Sequence, residues 1–305
     1  MGEPVVSVRG LRMTYGTQEV LTGVDLDVEA GEVVCLLGPN GAGKTTTIEV
    51  LEGFRLPSAG DVRVLGEAPA TAGDAWRARV GVVLQSWRDH ARWTPRRLLV
   101  SLGGYFRPYS TPEHPRPHDV DRLLDVVGLA EHADRKIGTL SGGQRRRLDV
   151  AVGIIGRPEL LFLDEPTAGF DPQARRDFHD LVHRLSDLEG TTILLTTHDL
   201  GEAEKLADRI LILTGGRIVA DGSADELARQ VAGTAEVRWA CGRERFVHAT
   251  DDPVAFVRRL VAQHGDELTD LEVRKAGLED TYLAMVQRFE AGDRTAAPAL
   301  LEVGR

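Results

Sequence analysis

The chain has 305 residues, 42% of them hydrophobic, and a formal net charge of −10, with 37 Lys and Arg against 47 Asp and Glu. That is ample apolar material for a core and the wrong sign for a dedicated nucleic-acid binder, while two cysteines, Cys35 and Cys241, exclude a disulfide framework or a Cys-rich zinc site. No stretch approaches the roughly 20 apolar residues that span a bilayer, and Met1–Pro4 does not resemble the start of a signal peptide, so a soluble cytoplasmic chain is expected.

Val5–Val8 is predicted to be a short strand, and Val24, Leu26 and Val28 alternate with charged residues as on a half-exposed strand. Tyr15 lies between them, just before Gly16. Its ring could stack on a base, or serve packing or a turn. Val33–Leu37 reads as a buried strand, with Cys35 a small core residue inside it. It runs into Gly38-Pro39-Asn40-Gly41-Ala42-Gly43-Lys44-Thr45, which fits G-x-x-x-x-G-K-[ST], and the helix opening at Thr45-Thr46-Thr47 supplies the expected context. Glycines let the backbone wrap an anion in N–H groups, and the helix N-terminus adds partial positive charge. In such a loop Lys44 reaches β- and γ-phosphates and the Thr45 hydroxyl coordinates Mg²⁺. A nucleoside triphosphate site is therefore expected.

Gly60–Gly66 and Val80–Leu84 are further predicted strands, the second ending at Gln85, a polar residue that alone proves little. Between Ser86 and His118 the regular α/β rhythm breaks. Trp87, Arg88, Arg92, Trp93, Arg96 and Arg97 mix bases with aromatics, and a Pro-rich segment from Pro108 to Pro117 follows. In an acidic chain this pattern fits a docking surface or a solvated face better than nucleic acid. No carboxylate cluster surrounds His114 and His118, which argues against a metal site there. Leu140-Ser141-Gly142-Gly143-Gln144 reads as a capping box opening a helix over 144–153. Two glycines in a first turn are costly, however, unless a backbone must approach something closely, so a second anion site is the other reading. Leu160–Leu163 is an apolar strand ending in Asp164-Glu165-Pro166. The acidic pair is a turn, or else Asp164 serves the Mg²⁺ shell and Glu165 orients or deprotonates the attacking water. Asp171-Pro172 reads as an N-cap with Pro at N1. Thr191–Thr197 is the next strand, and Asp199-x-x-Glu202 is a capping box that leaves His198 free to contact a γ-phosphate.

In this order the motifs resemble the ATP-binding subunits of ABC transporters, over about residues 4–230. Tyr15 matches the A-loop, Gly38–Thr45 Walker A, Gln85 the Q-loop and Leu140–Gln144 the signature. Leu160–Asp164 with Glu165 matches Walker B and the catalytic glutamate, Ala168–Asp171 the D-loop, and His198 the H-loop. The resemblance implies an α/β P-loop NTPase core with an antiparallel β subdomain and a helical subdomain at about 86–158. It implies ATP and Mg²⁺ as cofactors, with Glu165, His198 and Lys44 catalytic and Thr45, Gln85 and Asp164 at the metal. Tyr15, Gly38–Thr46, Gln85, Ser141–Gln144 and Asp171 would contact nucleotide. It further implies a dimer with ATP held between Walker A of one subunit and the signature of the other.

Residues 231–290 form a predicted small α/β extension, with strands at 235–239, 244–248 and 271–273, a helix at 253–263 and a final helix opening at Gly277–Leu283; 291–305 reads as a loose tail. Leu278-Glu279-Asp280-Thr281-Tyr282-Leu283, together with the full Walker A and signature stretches, looks like the daunorubicin-resistance-type exporter ATPases. The partners implied are a second ATP-binding subunit, in a homodimer, and a separately encoded transmembrane permease, with no nucleic acid. The chain would then sit peripherally on the inner face of the membrane, with the surface over 85–97 docking the permease. The alternative is a soluble relative acting on ribosome or DNA. Such relatives usually carry two cassettes, long coiled coils or zinc modules, none of which is evident here.

Overall fold

The computed structural model describes residues 3–83, 90–231, 235–241, 244–250, 252–265, 268–274 and 282. The chain divides into two compact units, 1–218 and 219–305.

The first unit opens with a long hairpin, β1 (Val6–Tyr15) and β2 (Gln18–Val28), turned at Gly16 and joined by β4 (Ala59–Val64) into an antiparallel sheet ordered β2-β1-β4. β1 runs well past the expected Val8. Its outer face carries Arg9, Gly10, Arg12 and Thr14, and register shifts between Val8 and Thr14 interrupt the apolar alternation that a strand is recognised by. A second sheet, ordered β5-β6-β7-β3-β8-β9, contains β5 (Val80–Val83), β6 (Leu160–Asp164), β7 (Thr192–Thr197), β3 (Val33–Leu37), β8 (Arg209–Thr214) and β9 (Arg217–Gly222). From β5 to β8 the pairing is parallel. Parallel strands covered on both faces read as continuous apolar runs, and every residue of β3 and β7 is buried. The two sheets share one core, in which Val8, Leu11 and Val64 meet Val34, Leu36 and Phe162. Trp76, on α2 (Asp74–Arg77), is buried with them and donates its indole N–H to the Val64 carbonyl at 2.8 Å.

α1 (Lys44–Leu51) follows β3 directly. Between β5 and β6 lie α3 (Pro95–Phe106), α4 (Val120–Val126) and α5 (Gly142–Ile154), the first two capped by the side chains of Thr94 and Asp119. The Pro-rich segment is pinned by Arg116, which is buried and donates to Glu159 at 3.2 Å; Arg79 reaches the same carboxylate through two 2.9 Å bonds. These ties hold Glu159 below the usual carboxylate range against the upward push of its burial. α6 (Pro172–Glu189) and α7 (Leu200–Leu206) flank β7 in sequence.

The second unit has α8 (Ala224–Val231) and an antiparallel sheet ordered β11-β10-β12, from β10 (Ala235–Cys241), β11 (Glu244–Thr250) and β12 (Leu268–Arg274). Phe256 of α9 (Pro253–His264) packs edge-on to Trp239 and stacks on His248. Of the expected elements, the helix opening at 277–283 and the tail from 291 lie outside the described residues.

Candidate nucleotide-hydrolysis site

The expected catalytic residues arrive at one end of the parallel sheet, because a parallel strand order puts every strand's carboxyl end on the same side. β3 delivers the loop Gly38–Gly43. A Cβ on Gly38 would stand 2.3 Å from the Leu213 carbonyl oxygen, and Gly43, at φ 107°, adopts a backbone that L side chains rarely tolerate. Both glycines are therefore required where α1 begins. Lys44 is buried, and its ammonium donates to the carbonyls of Gly38 (2.8 Å) and Pro39 (3.2 Å). It also lies 3.6 Å from Glu165.

β6 delivers Asp164 and Glu165. The Thr45 hydroxyl donates to Asp164 at 3.3 Å, and the Thr196 hydroxyl, from β7 alongside, donates to the other Asp164 oxygen. The Thr196 hydroxyl oxygen also accepts from the Glu165 N–H at 3.0 Å, beside the Thr196 carbonyl at 3.2 Å. Glu165 has φ 42°, a left-handed backbone that turns the chain sharply off the strand. His198, just beyond β7, is exposed, with its ring nitrogen 3.3 Å from the Glu165 carboxylate. Thr45 and Asp164 set two hard oxygens side by side, which suits Mg²⁺, an ion usually bound by one or two protein groups plus phosphates and water. Among the described residues no group of three or more His, Cys, Asp or Glu could hold a metal ion.

A second corner is built by α5 and the start of α6. Ser141 and Gln144 form the reciprocal capping box: the Ser141 hydroxyl accepts from Gln144 N–H at 3.3 Å and the Gln144 side chain accepts from Ser141 N–H at 3.0 Å. The Gln144 amide also meets His132 at 2.8 Å. The helix starts at Gly142, two residues before the expected Gln144. Asp171 caps α6, accepting from Gln173 and Ala174 N–H at 2.9 Å each. Ser141–Arg147 and Ala168–Asp171 line one open cleft of about 660 Å³. Ser141 to Gln144 and Asp171 thus share a surface and are not drawn into the corner of Lys44 and Glu165.

Tyr15 ends β1 half exposed, with the Arg55 guanidinium 5.1 Å over its ring. Gln85, Trp87 and Arg88 lie outside the described residues. Trp93 is half-buried, edge-on to His90 and covered by Arg97 at 4.5 Å. Arg96, part of the stretch expected to form a docking surface or a solvated face, is paired within the chain to Asp121 and Asp134.

The structure corrects one motif reading. Asp199 caps α7 as expected, accepting from Glu202 N–H at 3.1 Å, but Glu202 does not reach back to complete a box. It is buried and accepts from the Thr167 and Thr197 hydroxyls. The inner face of α7 packs on the sheet, so a long side chain at this position turns inward. The sequence reading also missed Thr196, Thr167 and Arg146, whose guanidinium is buried and donates to the Pro166 carbonyl at 2.9 Å. The available signal was polar residues ending an apolar strand in Ile193-Leu194-Leu195-Thr196-Thr197, and three consecutive arginines on a helix with buried positions.

A P-loop, an acidic strand end and a Ser-Gly-Gly-Gln helix start on one α/β scaffold define an ATP-binding cassette. The ABC transporter family model matches residues 21–168. The chain is 38% identical over 310 residues to Nod factor export ATP-binding protein I of Ralstonia nicotianae, covering 93% of this chain and 94% of that protein. It is 36% identical over 323 residues to the daunorubicin/doxorubicin resistance ATP-binding protein DrrA of Streptomyces peucetius, covering 97% and 96%. Among solved structures, the ADP conformation of MJ1267, an ATP-binding cassette of an ABC transporter, aligns with a TM-score of 0.64 at 26% identity over 74% of this chain and 93% of that one. The chain belongs to the ATP-binding subunits of ABC transporters, ATPases coupled to transport. The resemblance read from the sequence, including its leaning toward the daunorubicin-resistance branch, holds. Among the described residues no helix is long and apolar enough to cross a membrane.

Proposed function

We propose that this subunit drives export of a drug-like or lipid-like molecule by hydrolysing ATP at the Lys44–Glu165 corner of a cassette dimer. The observation that carries the reading is the meeting of Lys44, Thr45, Asp164, Glu165 and His198 at adjoining strand ends, within 3.6 Å of one another along the chain of contacts. The N–H groups of Gly38–Thr46 and the Lys44 ammonium bind the β- and γ-phosphates. Thr45 and Asp164, with Gln85, hold Mg²⁺, which supplies charge neutralisation at those phosphates. Glu165 takes the proton of the attacking water, and His198 holds the γ-phosphate side. Tyr15 stacks on the base. Ser141–Gln144 and Asp171 face the nucleotide of the opposite subunit, a reading that the open cleft beside them supports. Residues 4–230 carry this machinery, and 231–290 are an accessory domain.

Export is supported by the relatives: the two described above, matched over nearly their full length, are named for export or drug resistance. A separately encoded permease completes the transporter and brings the chain to the cytoplasmic face of the membrane, docking near Trp93. The test is Glu165→Gln. The amide keeps the shape but cannot take a proton, so turnover drops by about 10²–10⁴-fold while ATP binding stays and an ATP-bound dimer accumulates on a sizing column. A Glu165→Gln chain with near-wild-type turnover removes Glu165 from that role.

A further inference from the structure

One buried carboxylate in the first unit takes no part in holding phosphate or metal. Glu202, on the inner face of α7, is 2% exposed, and its two oxygens accept from the Thr167 hydroxyl at 2.6 Å and the Thr197 hydroxyl at 2.5 Å. Those threonines are 35 and 5 residues away in sequence, and both are buried. Thr167 stands two residues beyond Glu165, in the turn where Ala168 N–H donates to the Glu165 carbonyl and Phe170 N–H to the Thr167 carbonyl. Thr197 is the last residue of β7, directly before His198, and its hydroxyl oxygen also accepts from Asp199 N–H at 3.0 Å. Burial pushes the Glu202 carboxyl up, and the two hydroxyl donors work against that push. A position needed only for packing is better served by an apolar side chain, since a buried carboxylate carries a desolvation cost that leucine does not.

We propose that Glu202 is a positioning residue for hydrolysis, clamping the segment that carries Glu165 to the segment that carries His198 through Thr167 and Thr197. The proposal rests on the reading that Glu165 and His198 act on ATP. Three consecutive residues of the first segment are then held by three different elements. Thr196 holds the Glu165 N–H, Arg146 of α5 holds the Pro166 carbonyl, and Glu202 holds the Thr167 side chain. Because Glu202 also grips Thr197, the 3.3 Å spacing between Glu165 and His198 is set by one buried group rather than by two independent loops.

The experiment uses the full chain, four single variants, Glu202→Ala, Glu202→Gln, Thr167→Val and Thr197→Val, and the double variant of Glu202→Ala with Thr167→Val. Glu202→Ala lowers kcat by about tenfold to a hundredfold, the usual consequence of losing hydrogen bonds to a charged group, with KM and the ATP Kd unchanged. Glu202→Gln keeps one acceptor and gains a donor that a threonine oxygen can receive, so it restores most of the rate. Adding Thr167→Val to Glu202→Ala slows the enzyme no further, because both remove the same contact. Without nucleotide, amide exchange at Ala168, Phe170 and Asp199 speeds up together in Glu202→Ala and stays slow in Glu202→Gln. Wild-type kcat with unaltered exchange in Glu202→Ala overturns the proposal, as does a raised KM at unchanged kcat. If Glu202→Ala does not fold, the two shape-preserving valine variants decide: full kcat and unaltered exchange at Ala168 and Phe170 in both overturn it, Asp199 being left out because Thr197→Val removes its acceptor directly. The exchange measurement needs no ATP, so it separates failure of the clamp from failure of the ATPase reading, which Glu165→Gln addresses.

Discussion

The two glycine-bearing corners of the first unit are built on opposite plans. Around Lys44 the side chains converge: an ammonium, two carboxylates, two hydroxyls and an imidazole come from the start of α1 and the ends of β6 and β7, linked by a chain of contacts. Around Ser141 they are turned back on their own chain, with Ser141 and Gln144 closing their own helix cap and Asp171 closing the next, beside an open cleft. The first corner has the groups for chemistry within one chain. The second has an open binding surface on which Ser141, Gln144 and Asp171 are engaged in helix caps, which suits the proposal that it completes a site on the opposite subunit.

The largest test of that difference is Ser141→Arg. Bulk there blocks the cleft and leaves the Lys44 corner untouched, so ATP hydrolysis is lost while the monomer's ATP affinity is retained, as filter binding and phosphate release would report. Mixing it with Lys44→Ala restores part of the activity, because in the proposed dimer one of the two shared sites carries neither lesion. No recovery in demonstrated mixed dimers breaks the comparison.

Thr196→Val probes the convergent corner at smaller cost. The substitution keeps the shape of a fully buried residue but removes the hydroxyl between Asp164 and the Glu165 N–H. Losing a hydrogen bond to a carboxylate is worth about 1.5–3 kcal/mol, so Mg²⁺-dependent turnover falls by about 10- to 100-fold. The signature corner is unaffected, and the protein remains dimerisation-competent with ATP. A variant with the wild-type rate shows that Asp164 needs no such support.

The smallest effect is one of stability. Glu52, at the end of α1, has its carboxyl pushed up from 4.5 to about 8, by burial first and then by the charges of Asp164 and Glu49. Between those values the folded chain holds a proton that the unfolded chain releases, so stability declines as pH rises through the window. Glu52→Gln carries no proton to lose. Its thermal midpoint should match wild type at about pH 4.5, rise above it with increasing pH, and keep a constant lead beyond about pH 8. Parallel melting curves across that range would show that the crowding of negative charge at this corner is slight.

Much of the convergent corner could be read without coordinates, because its motif residues sit at fixed offsets from apolar strands. Gly38–Thr45 follows Val33–Leu37, and Asp164 and Glu165 follow Leu160–Leu163. The supports of these residues could not. Threonine at a strand end is ordinary, so the polar ending of β7 at Thr196 and Thr197 does not say which carboxylates they serve. Glu202 fitted a capping box by spacing, and only the packing of α7 turns it toward Thr167, 35 residues back. β1 was read too short because its polar face and bulges hide the alternation. The strands and helix of 235–274 fall within a few residues of expectation, since turns punctuate them.

The left-handed backbone at Glu165 bears on how such a protein responds to selection. At φ 42° glutamate is an uncomfortable occupant, and glycine or asparagine would relieve a strain on the order of 1 kcal/mol. A library screened for heat resistance alone should therefore enrich Gly or Asn at position 165, and on the proposed role of Glu165 each clone so gained would be stable but slow in hydrolysis. Screened for transport, the same library should return glutamate every time. Position 165 is thus a place where durability and work are in direct competition, and where a thermostabilised lineage is expected to lose its motor first.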